Sequence, residues 1–184
     1  IFLTFLLQIV ITLAILAQKQ NNHWYFGMNA GLDFNFESTV AIKGEMFSLE
    51  GPASISDPKG RLLFYTNGNI VWDRNHNVMP HGTGLIAGVS STQAALIVPM
   101  PKSDSKYFVF TTVHEFERGL YYTIIDMNLN GGLGDVLDSH KNVLINNEIS
   151  EKVTSILHSN DHDLWIVSHL LNSDHFVSYL LTED

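Results

Sequence analysis

From position 51 to position 80 the chain reads GPASISDPKGRLLFYTNGNIVWDRNHNVMP. Tight-turn sequences cut it at Asp57-Pro58-Lys59-Gly60, Asn67-Gly68 and Asn75-His76-Asn77. Proline pre-sets φ for a turn, glycine accepts a positive φ, and Asn and Asp bond their own backbone two residues on. The segments between the cuts, 53–56, 62–66 and 70–73, carry β-branched and aromatic residues that suit a pleated surface. Runs this short are strands, so the stretch folds as a set of hairpins.

The same plan recurs twice. From 93 onward it predicts strands at 94–99, 107–112, 120–126 and 142–145. A turn lies at 101–105, a polar loop at 113–119 and a Gly/Asn/Asp loop at 127–141. From 152 it predicts strands at 153–158, 164–169 and 175–181, with a turn at 160–163. Aligning the second strands puts Phe64, Phe108 and Trp165 in equivalent places, 44 and 57 residues apart. Propeller blades of four strands repeat every 40 to 50 residues or so, and the long loop accounts for the larger spacing.

The expected class is therefore all-β. The expected architecture is a partial β-propeller, WD40/YVTN-like, of about three four-stranded blades (51–92, 93–151 and an incomplete 152–184). A blade buries its faces only against neighbours, and closed rings hold roughly 4 to 8 blades, so a truncated ring that continues past 184 is expected. Ahead of the repeats, 18–50 reads as strand pieces at 24–27 and 31–34 and a surface loop at 36–44. An early strand of this kind is expected to pair with the last one.

Residues 1–17, IFLTFLLQIVITLAILA, carry no charge and lead into Gln18-Lys19-Gln20. They read as the apolar core of a secretory signal peptide lacking its start, cleaved after Ala17. As a transmembrane anchor the run is at the short limit of about 20 residues. The 184 residues are 45% hydrophobic and 16% charged, enough for a real core and unlike a disordered tail. Net charge is −9, which disfavours nucleic acid and anionic lipid as partners. The absence of cysteine excludes disulfides and thiolate-ligated zinc.

Several phrases in one order, HWYFGMNAGLDFN, ASISDPKGRLLFYTNGNIVWDRNHNVMPHGTGL, STQAALIVP, GLYYTIIDMNLNGGLGDV and EKVTSILHSNDHDLWIVSH, carry a resemblance. The chain resembles the N-terminal region of large secreted Bacteroidetes surface proteins, which often end in a gliding-motility-associated, type IX secretion sorting domain. The resemblance covers nearly all of the chain after Ala17. It implies a propeller, export across the outer membrane and display or release at the cell surface. It brings no catalytic residues with it.

The chemistry-bearing residues read as structural. His158, His162, His169 and His175 form the densest histidine group, but strand ends do not align them as HExxH on a helix would. Asn160, Asp161 and Asp163 lack the glycine and distal glutamate of a calcium loop, and an Asx turn explains them. The run from Ser159 to Trp165 is one residue short of a sialidase Asp-box and lacks its glycine. Asp57, Asp73, Asp126 and Glu115 are scattered carboxylates, whereas glycoside hydrolysis needs two about 5 to 9.5 Å apart. Gly131-Gly132-Leu133-Gly134 has no following Lys-Ser/Thr and precedes no helix, so it is no phosphate loop. No Gly-x-Ser-x-Gly elbow occurs. Phe64, Tyr65, Trp72, Phe108, Phe110, Tyr121, Tyr122 and Trp165 read as inter-blade core.

No catalytic, cofactor-binding or metal-binding residue is expected. The expected function is an exported, non-enzymatic binding, adhesion or structural module. Its partners would be a protein or glycan at the cell surface and the secretion machinery. Membrane contact would come only through the leader, and loops 113–119 and 128–141 would be the contact candidates. The alternative is the N-terminal part of a secreted polysaccharide-active enzyme.

Overall fold

The computed structural model describes residues 19–113 and 118–183. The leader, its cleavage point after Ala17 and Glu115 lie outside the described residues. Among the described residues fifteen strands follow one another: β1 (His23–Phe26), β2 (Met28–Asp33), β3 (Val40–Phe47), β4 (Ala53–Ser56), β5 (Leu62–Thr66), β6 (Ile70–Asp73), β7 (Val78–Thr83), β8 (Ala95–Pro99), β9 (Lys106–Val113), β10 (Gly119–Asp126), β11 (Asp135–Val136), β12 (Val143–Asn146), β13 (Ile149–Leu157), β14 (Leu164–Leu170) and β15 (Phe176–Leu181). Among the described residues the helical elements are two 3-10 turns, Asn130–Gly132 and Asp138–His140, and no helix is long and apolar enough to cross a membrane.

The strands make four antiparallel sheets, none closed on itself: β1-β2-β3, then β4-β5-β6-β7, then β8-β9-β10 with β11 and β12 both on β10, then β13-β14-β15. The fold is all-β, as the turn pattern predicts. The first three strands of the second sheet fall where the turn sequences put them, because Asp57, Asn67 and Asp73 each accept backbone N–H groups within their own turns.

The stretches 51–92, 93–151 and 152–184 each hold one sheet, and residues 23–47, where strand pieces and a loop were expected, form a further sheet. Three expectations need correction. The expected loop at 36–44 ends early, since β3 starts at Val40 and pairs with β2 from Asp33↔Val40 onward. The first strand pairs with β2 in its own sheet, where the single intervening residue, Gly27, makes a hairpin cheaper than a long-range closure. Strand β7 also runs into what reads as a connection, with Pro80 tolerated on an edge strand.

Consecutive sheets meet along their first strands: β1 lies against β4, β4 against β8 and β8 against β13. Side chains alternate across each sheet, so each inner sheet feeds two seams. Tyr25 and Met46 meet Leu62, Tyr65 and Trp72 between the first and second sheets. Phe64, Val71 and Met79 meet Val109, Ile125 and Val136 between the second and third. Phe108, Phe110 and Ile124 meet Ile149, Val153 and Ile166 between the third and fourth. Strand β9 shows the alternation directly, with Val109 in one seam and Phe108 and Phe110 in the other.

Candidate functional site

The four histidines of the densest group all belong to the fourth sheet, at its two ends. His158 and His162 flank the β13–β14 turn, and His169 and His175 flank the β14–β15 turn. The seven residues of β14 separate the pairs, a span of roughly 20 Å at strand rise, too far for a shared ion. His158 Nδ1 accepts the Asn160 backbone N–H at 3.1 Å and its ring lies 5.6 Å from that of Trp165. The His169 ring meets Phe176 edge-on at 4.9 Å. His175 Nδ1 lies 2.8 Å from Ser173 Oγ and 3.0 Å from Asp174 Oδ1.

Asn160 makes the Asx turn its sequence implies. Its Oδ1 accepts the N–H groups of His162 and Asp163 at 3.3 and 3.0 Å, and its Nδ2 donates to Asp163 Oδ2 at 2.6 Å. Among the described residues no three His, Asp or Glu side chains are grouped so as to hold a metal ion.

The carboxylates are occupied in the same way. Asp57 accepts the N–H groups of Lys59 and Arg61 at 2.8 and 2.9 Å and the Arg61 Nε at 2.7 Å. Burial pushes its carboxyl up, but these donors and the guanidinium charge outweigh that and hold its pKa below the usual 3.8. Asp73 accepts the N–H groups of Asn75 and Asn77 at 2.8 and 3.0 Å. Asp126 accepts that of Asn128 at 2.9 Å.

The loop after β10 is clasped to the second sheet. His81 Nδ1 lies 2.8 Å from Asp135 Oδ1, and Nε2 lies 3.6 Å from Asp138 Oδ2. Lys141 Nζ donates to the carbonyls of His81 and Thr83 at 2.8 and 2.6 Å. Arg74 donates to the Gly132 carbonyl, which explains the glycine run: Gly131, Gly132 and Gly134 have φ of 64°, 86° and 89°, turning backbone carbonyls toward the neighbouring sheet. The two carboxylates hold the His81 imidazolium above its usual pKa, the Asp135 hydrogen bond foremost. Loop 128–141 is thus fastened to the second sheet.

Of the sequence-chosen aromatics, Phe64, Tyr65, Trp72, Phe108 and Phe110 are buried and Tyr121, Tyr122 and Trp165 half-buried. Tyr25, Tyr65 and Trp72 stack in series, with ring centroids 4.2 and 5.5 Å apart. Burial, with Tyr65 and Asp33 adding to it, pushes the Tyr25 hydroxyl up to about 12.

What sequence reasoning missed is Trp24. It is 53% exposed on the face of the first sheet opposite Tyr25, and it walls a cleft of about 410 Å³ where the first strands come together. Asn21, Phe26, Ser54 and Leu96 line the same cleft. Among the described residues its lining is uncharged, and it offers stacking and hydrogen bonding. The alternation of His23-Trp24-Tyr25-Phe26 signals a strand with Trp24 and Phe26 on one face and Tyr25 on the other, yet not which face stays open. A second cleft of about 430 Å³ opens in the seam between the third and fourth sheets, walled by Phe110, Tyr122 and Tyr179.

No family model, curated protein or solved structure matches the chain.

Proposed function

We propose that this chain is an exported β-propeller module of a cell-surface or secreted protein, serving binding, adhesion or architecture rather than catalysis. The single supporting observation is the arrangement of the four meander sheets, which touch first strand to first strand and leave a neutral, aromatic-walled cleft along that line. Propellers converge their inner strands on a common axis in this way, and a rigid scaffold with surface openings suits recognition. Equivalent knobs also support the blade reading. Phe64 and Phe108 each point from a second strand into the seam with the following sheet. The exported location and the type IX secretion route rest on the apolar leader and on the resemblance to Bacteroidetes surface proteins.

The ligand class proposed for the cleft is a neutral glycan or uncharged peptide segment, since Trp24 offers a stacking face and Asn21 and Ser54 are uncharged polar neighbours. A glycan array and a cell-adhesion assay with wild type and Trp24→Ala test it. An anchor aromatic of this kind costs 2 kcal/mol or more on truncation, about a 30-fold loss of affinity. Binding unchanged by Trp24→Ala would remove the cleft from the reading. Turnover of a chromogenic polysaccharide panel would replace it with an enzyme.

A further inference from the structure

The chain contains two Asn-Gly steps, Asn67-Gly68 and Asn130-Gly131. Asparagine is a thermolabile residue. It is most labile before glycine, where no Cβ shields the following backbone nitrogen from attacking the side-chain amide and expelling ammonia. The fold treats the two steps in opposite ways.

Asn67 is locked in place. Its Oδ1 accepts the N–H groups of Asn69 and Ile70 at 3.0 and 2.9 Å, and its Nδ2 donates to the Phe47 carbonyl at 2.9 Å. The nucleophile is held as well. The Gly68 N–H donates to Thr66 Oγ1 at 2.9 Å, and Gly68 is buried. Four hydrogen bonds therefore stand between that nitrogen and the amide carbon. Asn130 and Gly131 are both exposed, and a Cβ added at Gly131 would meet nothing within 4 Å. Among the described residues neither the Asn130 side chain nor the Gly131 N–H has a hydrogen-bond partner. The Asn130 carbonyl accepts a single bond, from the Leu133 N–H at 3.2 Å. An exposed turn with so few bonds is where a chain opens most readily.

We infer that Asn130 is a site of unassisted deamidation and isomerisation, and that Asn67 is protected from both in the folded chain. The Gly131 nitrogen loses its proton to solvent base and bonds to Asn130 Cγ. The Cγ–Nδ2 bond breaks and ammonia leaves, which closes a cyclic imide. Water then opens the imide at either carbonyl. Opening at Cγ leaves aspartate. Opening at the backbone carbonyl leaves isoaspartate, whose main chain runs through Cγ and is one methylene longer. No atom changes oxidation state on the way. The product matters because of the turn that holds it. The Leu129 carbonyl accepts the N–H groups of Gly132 and Gly134 at 3.0 and 3.2 Å, and this turn holds out the Gly132 carbonyl to Arg74. An extra methylene between Leu129 and Gly131 disturbs both closures, so isoaspartate at 130 loosens the loop from the second sheet.

The test holds the purified chain folded at mildly alkaline pH and physiological temperature for several weeks. Peptide mass spectrometry with electron-transfer fragmentation then locates each deamidation and separates isoaspartate from aspartate. Asn130 is expected to convert first, with isoaspartate in excess. Three further hydrogen bonds at their usual net worth slow Asn67 by on the order of a hundredfold. In urea, where both steps are free, the two asparagines are expected to react at similar rates. The aged chain is expected to melt below the fresh one. Asn130→Gly, which suits the φ of 50° at that position and removes the amide, is expected to melt alike fresh and aged. An intact Asn130, an Asn67 that keeps pace with it in the folded chain, or an Asn67 that stays slow in urea would each overturn the inference. Isoaspartate at 130 with an unchanged melting temperature would overturn the loosening of the loop.

Discussion

Asp73 shows how single residues make this fold. Its carboxylate is 2% exposed and holds two backbone N–H groups of the β6–β7 turn. Asp73→Ala removes a charged acceptor from both turn donors, at a cost of about 2 kcal/mol, to be read as a lowered urea midpoint. His81 gives the pH counterpart. Its pKa is raised in the folded chain, first by the hydrogen bond to Asp135 and then by Asp138. The stability it contributes is therefore fully present below the unfolded value of 6.5 and is lost as pH rises through the folded value. The melting-temperature difference between wild type and His81→Gln is expected to shrink as pH is raised above 6.5, and a difference constant with pH would contradict it. Such residues are legible to different degrees. The Asx turns at Asp57, Asp73 and Asn160 were readable because the bond is local. The pairing of His81 with Asp135 was not, because 54 residues separate them and only the meeting of β7 with β11 brings them together.

At the scale of elements, strands bounded by Pro, Gly and Asn could be located from sequence, and those that break the composition rules could not. Strand β3 reads as loop because it contains Gly44. The glycine is there because a Cβ would lie 2.7 Å from the Tyr25 ring, and glycine inside a strand marks such a close approach. Strand β7 hides behind Pro80 and Gly82. Strand β11, two residues long, has no pattern at all. The aromatic knobs were visible as types but not as seams. Phe64 is fully buried and meets the Tyr107 ring edge-on at 5.6 Å. Phe64→Ala is expected to destabilise the chain by about 3 to 5 kcal/mol, measured by chemical denaturation, because both the second and third sheets lose the contact and neither can close over the gap. A cost below about 1 kcal/mol would mean that the seam is not packed in solution.

For the whole molecule, each sheet draws its support from the sheets beside it. Among the described residues the second and third have a neighbour on both faces, and the first and fourth have one. In such a series the interior units open last. Hydrogen exchange is expected to leave the amides of β5 and β9 protected longest, with β2 and β15 exchanging earlier; equal protection across all four sheets would contradict nearest-neighbour stacking. The exposed cleft at Trp24 belongs to this scale as well, since it arises only from the meeting of first strands of three sheets, and no stretch of sequence contains it.

Every sheet is assembled from one unbroken stretch of chain, each strand hydrogen-bonding to a strand that came shortly before it. A polypeptide leaving a ribosome or a narrow pore end-first could then complete one layer while the following layer is still threading through. Among the described residues no sheet borrows a strand from a later one, and each finished layer offers a ready face to the one emerging behind it.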